Sequence, residues 1–172
     1  TVTKYVGRLL ASADPFVGPG PQTSVGDLVA RAAQEIPTLF RDEPLVEASL
    51  RSMIGRIYMS LEQYEAAELE IRLAARIREH ELPENHPDQA ESLFDIARWR
   101  WLTRTDPLDM SVEPMVRRAL EIRLSALGRE DEEVADLLWL LGTMHWAGKG
   151  DMGTAERMYR QRLQVCRRLY GE

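Results

Sequence analysis

The chain has 172 residues, 44% hydrophobic and 29% charged, a balance that suits one packed domain or a short repeat array and excludes a disordered segment. Its net charge of −6 argues against nucleic acid as a partner, because phosphates draw proteins through an excess of Lys and Arg. No apolar run approaches the roughly 20 residues that a membrane-spanning helix needs, so no membrane partner is expected.

The first residues, Thr1-Val2-Thr3-Lys4-Tyr5, lack both an initiator Met and the layout of a signal peptide, so the chain reads as part of a longer or processed polypeptide. The lone cysteine, Cys166, has no internal disulfide partner, which favours a reducing compartment; a cytoplasmic location is expected. Residues 1–23 predict a short helix near 3–12 and a Gly/Pro loop over 14–23. A helix near 25–40 follows, which Pro37 should kink or end, since it removes a hydrogen bond and clashes with the preceding turn.

From residue 44 onward the chain repeats itself. Ala48-Ser49-Leu50-Arg51-Ser52-Met53-Ile54-Gly55 aligns with Ala90-Glu91-Ser92-Leu93-Phe94-Asp95-Ile96-Ala97 and with Ala135-Asp136-Leu137-Leu138-Trp139-Leu140-Leu141-Gly142. A second set aligns Ala67-Glu68-Leu69-Glu70-Ile71-Arg72-Leu73-Ala74 with the octets beginning at Val112 and Ala155. Spacings are 42 and 45 residues in the first set, 45 and 43 in the second. Small residues at fixed places let helix backbones approach, and apolar residues at helical spacing fill the seam. The pattern predicts helices near 45–60, 65–80, 88–102, 112–127, 131–147 and 152–169. Turns fall at Leu61-Glu62-Gln63-Tyr64, Pro83 to Asp88, Thr103 to Met110, Leu127 to Asp131 and Ala147 to Asp151. A partial copy, Gly26 to Ala33, precedes them. The array therefore divides into a partial repeat 24–43 and repeats 44–85, 86–130 and 131–172, behind a non-repeat lead over 1–23.

These residues resemble the tetratricopeptide repeat family, in particular the longer repeat of kinesin light chains. His86-Pro87-Asp88-Gln89-Ala90 to Ala97 is similar to that family's inter-repeat phrase, and Glu113-Pro114-Met115 to Arg123 to its second helix. The resemblance implies an all-α fold, a tetratricopeptide-type helical-hairpin solenoid wound as a right-handed superhelix, and a protein-binding function. Departures are Arg51 and Arg100 at apolar positions, Arg162 in place of a packing Ala, and an insertion around Asp106-Pro107-Leu108-Asp109. Short motifs, Leu9 to Pro15, Val25 to Leu28 and Asp42 to Ala48, are similar to the segment leading into the repeats of large bacterial serine/threonine kinases. That likeness implies a kinase domain upstream.

No catalytic motif is legible: there is no Gly-rich phosphate loop, His-Arg-Asp or Asp-Phe-Gly. Gly18-Pro19-Gly20-Pro21 cannot cradle phosphate because its prolines lack backbone donors. His80, His86 and His145 form no metal-ligand pair, so neither metal nor cofactor is expected. Glu130-Asp131-Glu132-Glu133 reads as a solvated helix start, and Cys166 as a buried thiol.

By the family's geometry the first helix of each repeat lines a concave groove. The positions implied to face it are Ser52, Arg56 and Met59, then Phe94, Arg98 and Trp101, then Trp139, Thr143 and Trp146. An aromatic wall with two arginines suits an apolar or acidic peptide. The competing reading places Trp139 and Trp146 in the core between repeats. The expected partner is a protein or peptide held in the groove. The alternatives are a regulatory segment of a kinase, or a self-association module that forms a homodimer through the arginine-rich final helix.

Overall fold

The computed structural model describes residues 24–126, 128 and 131–171, and no strand occurs among them. The expected helix near 3–12 and the loop over 14–23 lie outside the described residues.

Seven α-helices follow one another: α1 Val25–Leu39, α2 Pro44–Ser60, α3 Tyr64–Glu81, α4 Pro87–Thr103, α5 Glu113–Ala126, α6 Glu132–Met144 and α7 Met152–Tyr170. Local chemistry sets their ends. The Ser24 hydroxyl accepts the Asp27 N–H at 3.1 Å while Asp27 accepts the Ser24 N–H at 2.9 Å, so two otherwise orphaned donors are satisfied at the start of α1. Pro37 sits inside the last turn of α1, and the helix stops two residues later at Leu39. Pro44 and Pro87 open α2 and α4, where a missing N–H costs nothing. His86 Nδ1, Asp131 and Asp151 accept the first free N–H groups of α4, α6 and α7.

The helix anticipated over 131–147 is divided: α6 ends at Met144 and continues as one wide π turn, His145–Lys149, closed by Gly150 at φ 65°. The loop of the second repeat packs there. A Cβ on Gly148 would lie 2.8 Å from the Met110 sulfur, so a larger residue there would push the Met110 side chain aside.

Helices pair as hairpins, α2 with α3, α4 with α5 and α6 with α7, and each hairpin packs on the next through α3–α4 and α5–α6. Small residues decide where backbones meet. A Cβ on Gly55 would fall 2.6 Å from Ile71, and one on Gly142 would fall 2.6 Å from the Tyr159 ring. Ala48, Ala67, Ala74, Ala90, Ala97 and Ala119 are all buried, as the repeat alignment requires. The first helices of successive hairpins also touch, α2 with α4 and α4 with α6, which puts them on the inner side of the array.

The apolar interior falls into three clusters. One joins α1, α2 and α3 around Ile36, Phe40, Ile54 and Ile71; a second joins α4, α5 and α6 around Phe94, Val116, Leu137 and Leu141; a third joins α6 and α7 around Val134, Leu138 and Val165.

Candidate functional site

The inner helices α2, α4 and α6 carry eight of the nine residues singled out in the sequence, Trp146 lies in the π turn after α6, and the structure divides them. Ser52, Met59, Phe94 and Trp101 are buried, Arg56, Arg98 and Thr143 are half-buried, and Trp139 and Trp146 stand 42% and 56% exposed. The cause is the stacking itself. Phe94 and Trp101 lie in the cluster that α6 closes, and Met59 in the one shared with α1 and α3. Trp101 is also covered by the Arg104 guanidinium, whose carbon sits 3.3 Å from the ring centroid. Trp139 on α6 and Trp146 in the π turn beyond it occupy the same two repeat positions, and α7 leaves both exposed. The four buried side chains back the inner surface rather than forming it.

Two further sequence expectations need correction. Cys166 is half-buried rather than buried, because Val165 takes the inward place on α7. The acidic start of α6 is not fully solvated: Glu133 pairs with Arg123, which also reaches Asp131 at 3.4 Å.

The arginines are already engaged. Arg56 Nε donates to Asp95 at 2.7 Å and its Nη2 to Glu91 at 2.8 Å. Behind them the wholly buried Arg78 donates to the Ser52 and Ser92 hydroxyls at 2.9 and 3.1 Å, and to Glu91 at 2.5 Å. Burial pushes the Asp95 carboxyl above its ordinary range although Arg56 pulls the other way. Burial, opposed by Arg123 and reinforced by Glu91, lifts the Glu133 carboxyl to about 7. Asp136, on the inner face one turn before Trp139, is also raised by burial, against the field of Arg162. Arg56 thus has its charge met internally, which removes half of the basic character expected of the groove.

Sequence reasoning missed Arg78, Glu91 and Asp95 as one buried network. A signal was present: Ile71, Ala74, Ala75 and Arg78 follow the spacing of a buried helical stripe, so a charge at its last place required partners.

Residues 48–88 match the family model of the tetratricopeptide repeat. The chain carries a tetratricopeptide repeat. The matched span covers α2, α3 and the first turn of α4, and the two later hairpins keep the repeat's register of small residues at Ala90, Ala97, Ala135 and Gly142. No curated protein matches the chain. A tetratricopeptide repeat makes it a protein-interaction module. Among the described residues no helix is long and apolar enough to cross a membrane, and no His, Cys, Asp and Glu cluster could hold a metal ion.

Proposed function

We propose that the repeat array holds a peptide or partner protein against its inner face, with the stripe Asp136, Trp139, Thr143 and Trp146 as the principal contact. One observation carries this reading. Trp139 on α6 and Trp146 in the π turn that follows it are large and exposed, while the residues at the equivalent repeat positions of α4 are buried. Exposed tryptophans in register are costly to leave in water and are enriched where binding energy concentrates. Asp136 at one end gives the stripe a carboxylate, and Thr143 is fixed by its contact with the Tyr159 hydroxyl at 3.2 Å. With Arg56 neutralised, an apolar peptide that also carries a cation complements this surface better than an acidic one.

Selection of a random peptide library on the chain tests it. Enriched peptides should lose binding at least tenfold with Trp139→Ala, at unchanged melting temperature, since aromatic anchors dominate such contacts. Peptides indifferent to both Trp139→Ala and Trp146→Ala would remove the inner face as the site. A kinase-regulatory role draws on motifs that lie partly in residues 1–23, and no described helix adds to it.

A further inference from the structure

The three outer helices of the hairpins carry the same ion pair at the same repeat position. Arg72 meets Glu68 at 2.7 Å on α3, Arg117 meets Glu113 at 2.6 Å on α5, and Arg160 meets Glu156 at 2.7 Å on α7. In the first two copies the pair is a seat for an aromatic ring from the next hairpin. Trp99 of α4 lies over Arg72, 5.6 Å from guanidinium carbon to ring centroid, and its indole N–H donates to the Tyr64 carbonyl at 3.0 Å. His145, at the end of α6, places Nε2 3.2 Å from the Glu113 carboxylate and 3.4 Å from Arg117.

The third seat is complete and open. Met152 stands where Tyr64 stands on α3, each the first residue of its helix. Around Glu156 and Arg160, the side chains of Trp146, Met152, Tyr159 and Leu163 line an open apolar groove. Trp146, Met152 and Leu163 are 56%, 62% and 51% exposed.

We infer that this groove on α7 docks an amphipathic helix of a partner protein, one that begins with carboxylates and sets an aromatic ring on Arg160. The occupant's chemistry follows from the two filled seats. Both docking helices have acids in the first turn, Asp88 in α4 and Glu132 with Glu133 in α6, and both deliver a ring near the far end. The surface that receives the third leans basic: Arg160 lines the groove and Arg167 is exposed one turn beyond Leu163 on the same face of α7, beside one acid, Glu156. That charge opposes a symmetric pairing of two α7 helices, since like charges would face each other across it, and attracts a helix with an acidic start. The groove shares only Trp146 with the stripe proposed above, so the two surfaces can be tested apart.

A helix-stapled peptide with the sequence of residues 86–104, which supplies Asp88, Glu91 and Trp99, is the probe. Fluorescence anisotropy with the whole chain should show saturable binding, weakened about tenfold or more by Leu163→Glu or Arg160→Glu, and by Trp99→Ala in the peptide. Trp139→Ala in the chain should leave it unchanged. Absence of binding at millimolar peptide, or binding that survives Leu163→Glu, would overturn the inference. Loss with Trp139→Ala alone would move the peptide to the inner stripe and overturn it too. A dimer of the chain abolished by Leu163→Glu would show that a second copy, not a partner helix, fills the groove.

Discussion

The two seams between hairpins share one geometry and differ in chemistry. Where α4 joins α2 and α3, the buried contacts are charged and polar: Arg78 with Ser52, Ser92 and Glu91, Arg56 with Asp95, and Gln89 donating to the Arg78 carbonyl at 2.8 Å. Where α6 joins α4 and α5, the interior is mainly Val116, Ile122, Leu137, Leu140 and Met144, flanked on one side by the buried Arg123 with Glu133 and on the other by Glu113 with Lys149 and His145. The apolar seam tolerates sliding, because dispersion and burial carry no direction. The polar seam does not, because each guanidinium N–H must find its own acceptor. One junction thus rests mainly on directional polar contacts and the other mainly on apolar burial flanked by ion pairs.

The same exchange occurs inside hairpins. Arg51 and Glu70 form a buried pair at 2.6 Å between α2 and α3. The aligned places hold Leu93 and Met115 in the second hairpin, and Leu138 and Met158 in the third. Charge and hydrocarbon fill the same space, and the repeats sample both solutions.

Removing Arg78 should break the polar seam. Arg78→Leu leaves Glu91 and Asp95 with Arg56 alone in the interior and should cost about 3–5 kcal/mol, read from urea unfolding. A loss below about 1 kcal/mol would show that the seam contributes little. Leu141→Ala, a cavity in the apolar seam, is the matched control at roughly 2–5 kcal/mol.

Swapping the hairpin pair should sharpen the contrast. Arg51→Leu alone strands Glu70 and should cost about 3 kcal/mol, whereas Arg51→Leu with Glu70→Met should restore stability to within about 1 kcal/mol or exceed it. If the double variant is as unstable as the single one, the repeats are not interchangeable at this place.

Acidity separates the two rims of the apolar seam. The Glu133 carboxyl is raised to about 7 from 4.5, so its ionised form is disfavoured in the fold. Between those values the folded state holds the proton that the unfolded chain has released, and stability from this group falls as pH rises. The Glu113 carboxyl runs the other way. Burial raises it, but hydrogen bonds from Lys149 and Arg117 prevail and bring it down to about 2, so its stability is present above 4.5 and is lost as pH falls towards 2. Thermal melts across pH 2 to 8 should show Glu133→Gln flattening the upper limb and Glu113→Gln the lower limb.

The smallest effect concerns the turns within hairpins. Glu62 holds φ 58° between α2 and α3, at the place where Gly150, φ 65°, joins α6 to α7. A side chain in this left-handed region is strained, so Glu62→Gly should raise stability by roughly 0.5–1 kcal/mol, and Gly150→Ala should lower it. A fall with Glu62→Gly would mean that the Glu62 side chain stabilises the turn.

The repeat register was legible because it rests on local size: Ala48, Ala90 and Ala135 mark the same place on three helices, and Gly55 and Gly142 admit Ile71 and Tyr159 as their spacing implied. The inner face was legible only in part. Trp139 and Trp146 share repeat positions with Phe94 and Trp101, and nothing within an octet says which pair a neighbouring helix will cover. The charged seam was hidden for a related reason, since Arg56 and Asp95, which donate and accept across 2.7 Å, lie on different hairpins.

By itself the sequence determined helix, turn and hairpin, because these depend on residues within a few turns of one another: proline and capping side chains at helix starts, small residues where backbones meet, and an apolar stripe at helical spacing. Tertiary structure decided which aromatics reach solvent, which arginines are already paired and which carboxyls are pushed from their ordinary ranges. Those properties depend on what the next hairpin places against each residue, and partners more than thirty residues apart, such as Arg56 with Glu91 and Asp95, are set by the stacking and not by the neighbours in the chain.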